Sequence, residues 1–247
     1  MATVKTHYAE VLSDVYSWMH GGFENGLQRN TEWISDHRLT PRRSGVAVDL
    51  GAGCGFLSIP LAKAGYSVTA IDLDAELLDE LKRNSENLKI VRIQDDLMDF
   101  DEYARGGVEL IACMTDTILH LESKENVSLL FDKAFNALEP EGNFIMTFRD
   151  LTFELKDLDR FVAVKSDENI IFTCFLEYES ETVKVHDLVY RKNNGHWNLL
   201  KSFYRKLRLS KGWVVDQLSE CGFQVDAEVE TGMVTVIATK KRKMGTV

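Results

Sequence analysis

Three glycines at alternate positions, Gly51, Gly53 and Gly55, stand close behind an acidic residue, Asp49, and a further carboxylate, Asp72, follows Asp49 by 23 residues. With only Ala52 and Cys54 between them, the glycines permit positive φ and let a ligand lie against bare backbone. A dinucleotide loop wants glycines at its first, third and sixth positions. The sixth here is Phe56, whose ring hinders close packing around a pyrophosphate. Asp49 repels phosphates as well, and suits a ligand that carries an ammonium or sulfonium. Further along, polar groups gather where apolar runs end: Asp95 and Asp96 before Leu97, then Asp116 and His120 after Met114, then Arg149. An imidazole that titrates near neutrality can act as a general base. An arginine can grip a carboxylate through two parallel hydrogen bonds. Each has a plainer reading: a core histidine, a salt bridge from Arg149 to Asp150 or a neighbour, a carboxylate that caps a turn.

The elements that must position these groups follow from periodicity. Val46 to Val48 is a short apolar run of the kind buried in a parallel sheet, Phe56 to Ala64 has helical spacing closed by Gly65, and Tyr66 to Ile71 is a second strand that delivers Asp72 and Leu73. This is strand, glycine turn, helix, strand, with a ribose-binding carboxylate at the second strand end. Asp74 caps a helix with Leu77, Leu78 and Leu81 inward. Ile90 to Ile93 and Val108 to Met114 are the third and fourth strands, and Ser123 to Leu138 is a helix ended by Pro140 and Gly142. Asn143 to Phe148 is the fifth strand.

On Asp49, Gly51, Ala52, Gly53, Gly55 and Asp72, the chain resembles the class I S-adenosylmethionine-dependent methyltransferases. That resemblance implies S-adenosylmethionine as cofactor, with the loop, Asp72 and Leu73 holding its ribose side. It assigns Asp96, or alternatively Asp95, to the adenine amine, and Leu97 to the ring. The segment Cys113 to Leu121, which includes Met114, is similar to the corresponding loop of glycine N-methyltransferase and related small-molecule enzymes, with Asp116 where those carry Asn. The likeness extends to Arg149. It makes Asp116, His120 and Arg149 the candidates for the methyl-accepting side, and an amine nitrogen the expected acceptor. An oxygen or sulfur acceptor, or a protein that binds the cofactor without transferring methyl groups, stands as the alternative.

Before the first strand, residues 5 to 39 form two helical segments broken at Gly21-Gly22, the first with an apolar stripe through Tyr8, Val11, Leu12, Val15, Trp18 and Met19. One reading packs this helix on the core. The other makes residues 1–44 a lid over the methionyl end of the cofactor, with Tyr16, Trp18 and Arg29 facing it. Residues 151–209 break the helix and strand rhythm. Four strand-like runs with turns at 166–168, 180–181 and 193–195 describe an antiparallel β insertion over the substrate side, which brings Tyr178, His186, Tyr190, Tyr204 and Arg205 near. Trp213 to Cys221 and two last strands, Phe223 to Val229 and Val234 to Thr239, rejoin the core. The expectation is therefore an α/β fold: a seven-stranded, mostly parallel sheet with helices on both faces, built from 45–150 and 210–241, plus the insertion.

Composition bounds the partners. A net charge of −10 over 247 residues argues against nucleic acid, and the basic run Lys240 to Lys243 is expected to be a solvated terminus. Four scattered cysteines suggest neither a metal site nor a disulfide framework. No apolar run reaches the roughly 18 residues that a membrane span needs. A cytoplasmic enzyme with a small-molecule substrate is the expectation, and nothing in the sequence sets the oligomeric state.

Overall fold

The computed structural model describes residues 4–104 and 107–242. Seven strands form one sheet: β1 (Val46–Leu50), β2 (Ser67–Asp72), β3 (Ile90–Gln94), β4 (Val108–Cys113), β5 (Leu138–Arg149), β10 (Phe223–Glu230) and β11 (Met233–Lys240). Their order is β10-β11-β5-β4-β1-β2-β3. Strands β1 to β5 run parallel, and β11 lies antiparallel to both β5 and β10. The reversal of strand order between β1 and β4 opens a crevice at the carboxyl ends, the place where ligands bind in open α/β sheets.

Both faces of the sheet are covered. Val127, Leu130, Phe131 and Ala134, on one side of the helix Lys124–Ala137, pack with Val214 and Leu218 against Val48, Ile111 and Phe144. On the other face Ile59 and Leu61 join Leu78, Leu81 and Ile34 over Ala47, Leu110 and Ile145. Helix starts follow their caps. Asp74 accepts from the amides of Glu76 and Leu77, Ser123 from Asn126 and Ser210 from Trp213. Glu109, buried in β4, accepts the amides of Arg42, Arg43 and Gly45 and so ties the linker to the sheet.

The helix stops at Ala137 as expected, but Pro140 and Gly142 do not form a turn before the fifth strand, which begins at Leu138 rather than at Asn143. They lie inside β5, where the pairing with β4 shifts register, and a Cβ on Gly142 would meet the backbone oxygens of Glu139 and Val108 at 2.9 and 3.0 Å. The two chains pass too closely there for any side chain.

The insertion is a four-stranded antiparallel sheet of β6 (Phe161–Ser166), β7 (Ile170–Tyr178), β8 (Thr182–Asn193) and β9 (His196–Leu207). Its inner face receives the N-terminal helical segment 4–19, which is α-helical over Val4–His7 and Ser13–Met19 with a π turn over Tyr8–Leu12. Val11, Leu12 and Val15 are buried against Phe172, Val185, Val189 and Tyr204. Each such side chain contributes about 1.5–3 kcal/mol of transfer free energy. Polar contacts add to this attachment. His7 Nε2 lies 2.8 Å from Asp187 with both side chains buried, and the Trp18 indole donates to Asp167 at 2.6 Å. The stripe thus packs on the insertion, and a second helix, Phe23–Asp36, turns at Gly21-Gly22 to cover the main sheet.

Lys240 is not a free terminal charge, because its Nζ donates to the carbonyls of Phe135 and Leu138 at 2.6 Å. Lys243 and residues 1–3 lie outside the described residues. Among the described residues, no helix is long and apolar enough to cross a membrane.

Candidate active site

The glycine loop wraps over the end of β2. The amides of Gly51 and Ala52 both donate to the Ile71 carbonyl, at 2.9 and 3.0 Å. All three glycines have positive φ, but their surroundings differ. A Cβ on Gly51 would fall 2.5 Å from Thr117, and one on Gly55 2.2 Å from Leu81 Cδ1. Gly55 is therefore held by packing. Gly53 is less crowded, with the Tyr16 ring at 3.7 Å and Leu77 Cδ1 at 3.9 Å from where its Cβ would lie. Its amide donates to Asp72 Oδ2 at 2.7 Å, while Asp74 donates to Oδ1 at 2.8 Å. Burial raises the Asp72 pKa against these hydrogen bonds. Burial also pushes Asp49 up to about 7, although Ser58 donates to it at 2.6 Å, so its charge near neutrality is weaker than the sequence implies.

Two adjoining cavities meet at Gly51, Tyr16 and Thr115. The first has the glycine loop as its floor, Asp72, Leu73, Asp95 and Leu97 at its sides, and Tyr8 and Tyr16 of the N-terminal segment above, with His120 at its inner end. The second is lined by Asp49, Ala52, Met114 and Arg149 from the main sheet and by His20 and Arg29 from the helices that cover it. Asp95 accepts from the Tyr103 hydroxyl and the Asp96 amide, which hold its carboxyl below the usual range.

Four expected residues point elsewhere. Asp96 caps the turn Leu97–Glu102 by accepting the Met98 amide at 2.9 Å. Gly55 faces Leu81, and Trp18 is turned toward Asp167 of the insertion. Asp116, 2% exposed, faces Arg149 and Lys206.

The loop after β4 is bent sharply. Thr115 and Asp116 sit consecutively in the left-handed region, at φ 55° and 67°, and Thr147 of β5 holds both amides at 2.8 and 2.9 Å. Asp116 accepts the Arg149 amide at 2.8 Å on one oxygen, and both the Arg149 guanidinium and Lys206 Nζ, the latter at 2.8 Å, on the other. Burial alone would raise its pKa. The two cations outweigh burial and hold the carboxyl well below its ordinary range.

His120 sits between the rings of Tyr8 and Tyr204, with centroids at 6.0 and 5.3 Å. Burial, helped by the nearby Lys206 charge, lowers its pKa to about 3 against the pull of Asp116. It is a neutral imidazole at physiological pH, and its buried Nδ1 has no partner among the described residues. His20 is lowered to about 4, chiefly by burial, and its Nε2 is likewise buried and unpartnered.

Lys206, Tyr8 and His20 escaped the sequence reading. The sequence places Tyr8 in the apolar stripe, for which both a packed helix and a lid stand open. Lys206 follows Tyr204 by two residues on β9, so any evidence for an inward Tyr204 would have found it.

The residues present fit an adenosyl sulfonium. A glycine floor without side chains, a carboxylate at the β2 end, a second one beside Leu97 and apolar walls from Leu73 and Leu77 match ribose, exocyclic amine and adenine in turn. Residues 47–142 match the model of a family described as "Methyltransferase domain". The chain is 25% identical over 200 residues to the provisionally named methyltransferase YqeM of Bacillus subtilis (strain 168), an alignment spanning 79% of this chain and 78% of that protein. Among solved structures, the CcbJ methyltransferase of Streptomyces caelestis superposes with a TM-score of 0.79 at 15% identity, over 96% of this chain and 99% of its own. CalS10 of Micromonospora echinaspora, an amino pentose methyltransferase solved with S-adenosylmethionine bound, gives 0.69 at 13% identity over 95% and 96%. At such identities the structural likeness shows the fold. Fold, loop and family match together define a class I methyltransferase domain. Residues 47–142 are a methyltransferase domain by that family match, and the cofactor is S-adenosylmethionine.

Proposed function

We propose that this methyltransferase acts on a small molecule at an amine nitrogen, and that the acceptor also bears a carboxylate. The observation that carries this reading is Arg149: its side chain is 54% exposed, lines the second cavity at the end of β5, and is anchored from behind by buried Asp116. A guanidinium held in this way presents donors to a carboxylate. Arg29 lines the same cavity, and the two guanidiniums, set against an Asp49 that burial holds partly protonated near neutrality, favour the neutral amine whose lone pair is needed. CalS10, which shares the fold, is named for an amino sugar.

When bound, S-adenosylmethionine supplies a methyl group on a good leaving group. The chain's own residues then have to align the acceptor. Alignment can supply up to ~7–11 kcal/mol of the barrier reduction. His120, neutral and short of one hydrogen-bond partner, accepts from the acceptor's N–H and aims its lone pair. It is too weak a base to hold the proton, which passes to water. Asp116 keeps Arg149 in place and does not meet the nitrogen, because it is 2% exposed and turned toward Arg149 and Lys206.

The test is a panel of metabolite amines, thiols and hydroxy acids assayed for S-adenosylhomocysteine, each amino acid paired with its deamino analogue. Turnover of amino acids with methyl on nitrogen supports the reading. Turnover of the deamino partners with methyl on oxygen overturns it in favour of an oxygen acceptor, for which the same two arginines would hold the anionic form.

A further inference from the structure

Lys206 belongs to the insertion, yet it reaches the loop on which methyl transfer is centred. Its Nζ is 2.8 Å from Asp116 Oδ2, its side chain is only 13% exposed, and the Tyr204 ring lies beneath it with the centroid at 5.8 Å. The same Asp116 oxygen also receives the Arg149 guanidinium. One carboxylate therefore serves two cations from two different sheets. Of the two, Lys206 is the buried one and Arg149 the one that extends into the cavity.

We propose that Lys206 is a positioning residue of the transfer site: by sharing Asp116, it fixes that carboxylate and leaves the Arg149 guanidinium free to receive a carboxylate from the acceptor. This rests on the reading of Arg149 given above. Without Lys206 the whole Asp116 charge falls to Arg149, which is drawn back onto it. The local positive potential also drops. Both effects act in the same direction, toward weaker binding of an anion at Arg149.

The experiment follows the Arg149 side-chain Nε–Hε resonance by NMR in protein loaded with S-adenosylhomocysteine, with sodium acetate as the probe. The resonance is assigned by its loss in Arg149→Lys. Acetate should bind about threefold or more weakly in Lys206→Met, while Lys206→Arg stays within about twofold of wild type. The acetate-free Arg149 resonance should move in Lys206→Met as well. Lys201→Met removes a charge from the exposed part of β9 and should change neither reading. Acetate binding as in wild type by Lys206→Met, or an equal loss in Lys201→Met, overturns the proposal. If wild-type Arg149 ignores acetate, the carboxylate reading of Arg149 fails on its own, and Lys206 is then judged by the acetate-free resonance alone. Should Lys206→Met fail to fold, Lys206→Gln takes its place. Failure of both, with Arg149→Lys folded, makes Lys206 a structural brace and overturns its positioning role.

Discussion

The two cavities are built by different means. Around the first, the glycine loop and the β2 end are held by contacts within one strand, turn, helix, strand unit: Asp72 is held by amides two and 19 residues away. Beside the second, Asp116, which anchors Arg149, meets partners 33 and 90 residues distant. A site made from local contacts is fixed as soon as its unit folds. One made from remote contacts depends on the insertion being docked, and can vary while the glycine loop and Asp72 keep their shape.

The largest effect expected from this contrast is on cofactor affinity. If Asp72 holds the ribose, Asp72→Ala should cost two charge-assisted bonds at ~1.5–3 kcal/mol each, and S-adenosylhomocysteine should bind a hundredfold or more weakly by calorimetry. An unchanged dissociation constant would remove Asp72 from the site. Next come the glycines. Gly55→Ala forces a Cβ onto Leu81 and should cost about 1–3 kcal/mol of stability, visible as a melting temperature lower by several degrees. Gly53→Ala has space for its Cβ in the apo protein and, despite the strain of its φ of 53°, should weaken cofactor binding while lowering the apo melt less than Gly55→Ala does. A collapse of the apo fold in the second variant would erase the distinction between them.

On the remote side, Arg149→Lys keeps the charge but loses the fork, so it should raise the acceptor's KM about tenfold with little change in kcat or in cofactor affinity. Asp116→Asn should show partial activity and a raised KM of similar size, since it frees both cations from their anchor. Equal loss of cofactor affinity in either variant would show that the two halves are not separable.

The smallest effect sets two buried titrating groups against each other by sign. His120 is neutral in the fold with a pKa of about 3 against an ordinary 6.5, so between those values the unfolded chain binds more protons and stability rises with pH. The contribution is fully present above about pH 6.5 and is lost as pH falls toward 3. Asp49, raised from 3.8 to about 7, acts oppositely: its contribution is present at low pH and lost as pH rises through 7. Denaturant titrations between about pH 4.5 and 6 should therefore find the stability slope reduced by about one proton, ~1.4 kcal/mol per pH unit, in His120→Asn and steepened in Asp49→Asn. The same sign in both variants would contradict these assignments.

What the sequence showed follows the same division. The glycine turn, the Asp72 strand end, the buried β4 and the four insertion strands all carry local signals, and the structure places their ends within a few residues of expectation. The phase of β9 carries none. Phe203 and Arg205 on one face, Tyr204 and Lys206 on the other, are each an aromatic paired with a cation, and alternation alone cannot rank them. The tie is broken by Val11, Leu12 and Val15, which bury one face from almost 200 residues away. Trp18 was misplaced for the same reason, since its partner Asp167 lies in the insertion. Asp95 and Asp96 differ only in which of them caps the next turn.

The left-handed backbone at Asp116 has a consequence for how this enzyme can diverge. Apart from glycine, asparagine and aspartate are the residues that tolerate such a φ most readily. A single exchange between them leaves the bend intact yet changes the charge behind Arg149 by one full unit. Position 116 is thus a place where mutation can retune acceptor preference at almost no conformational cost, and lineages carrying either residue can pass from one to the other without an unfolded intermediate.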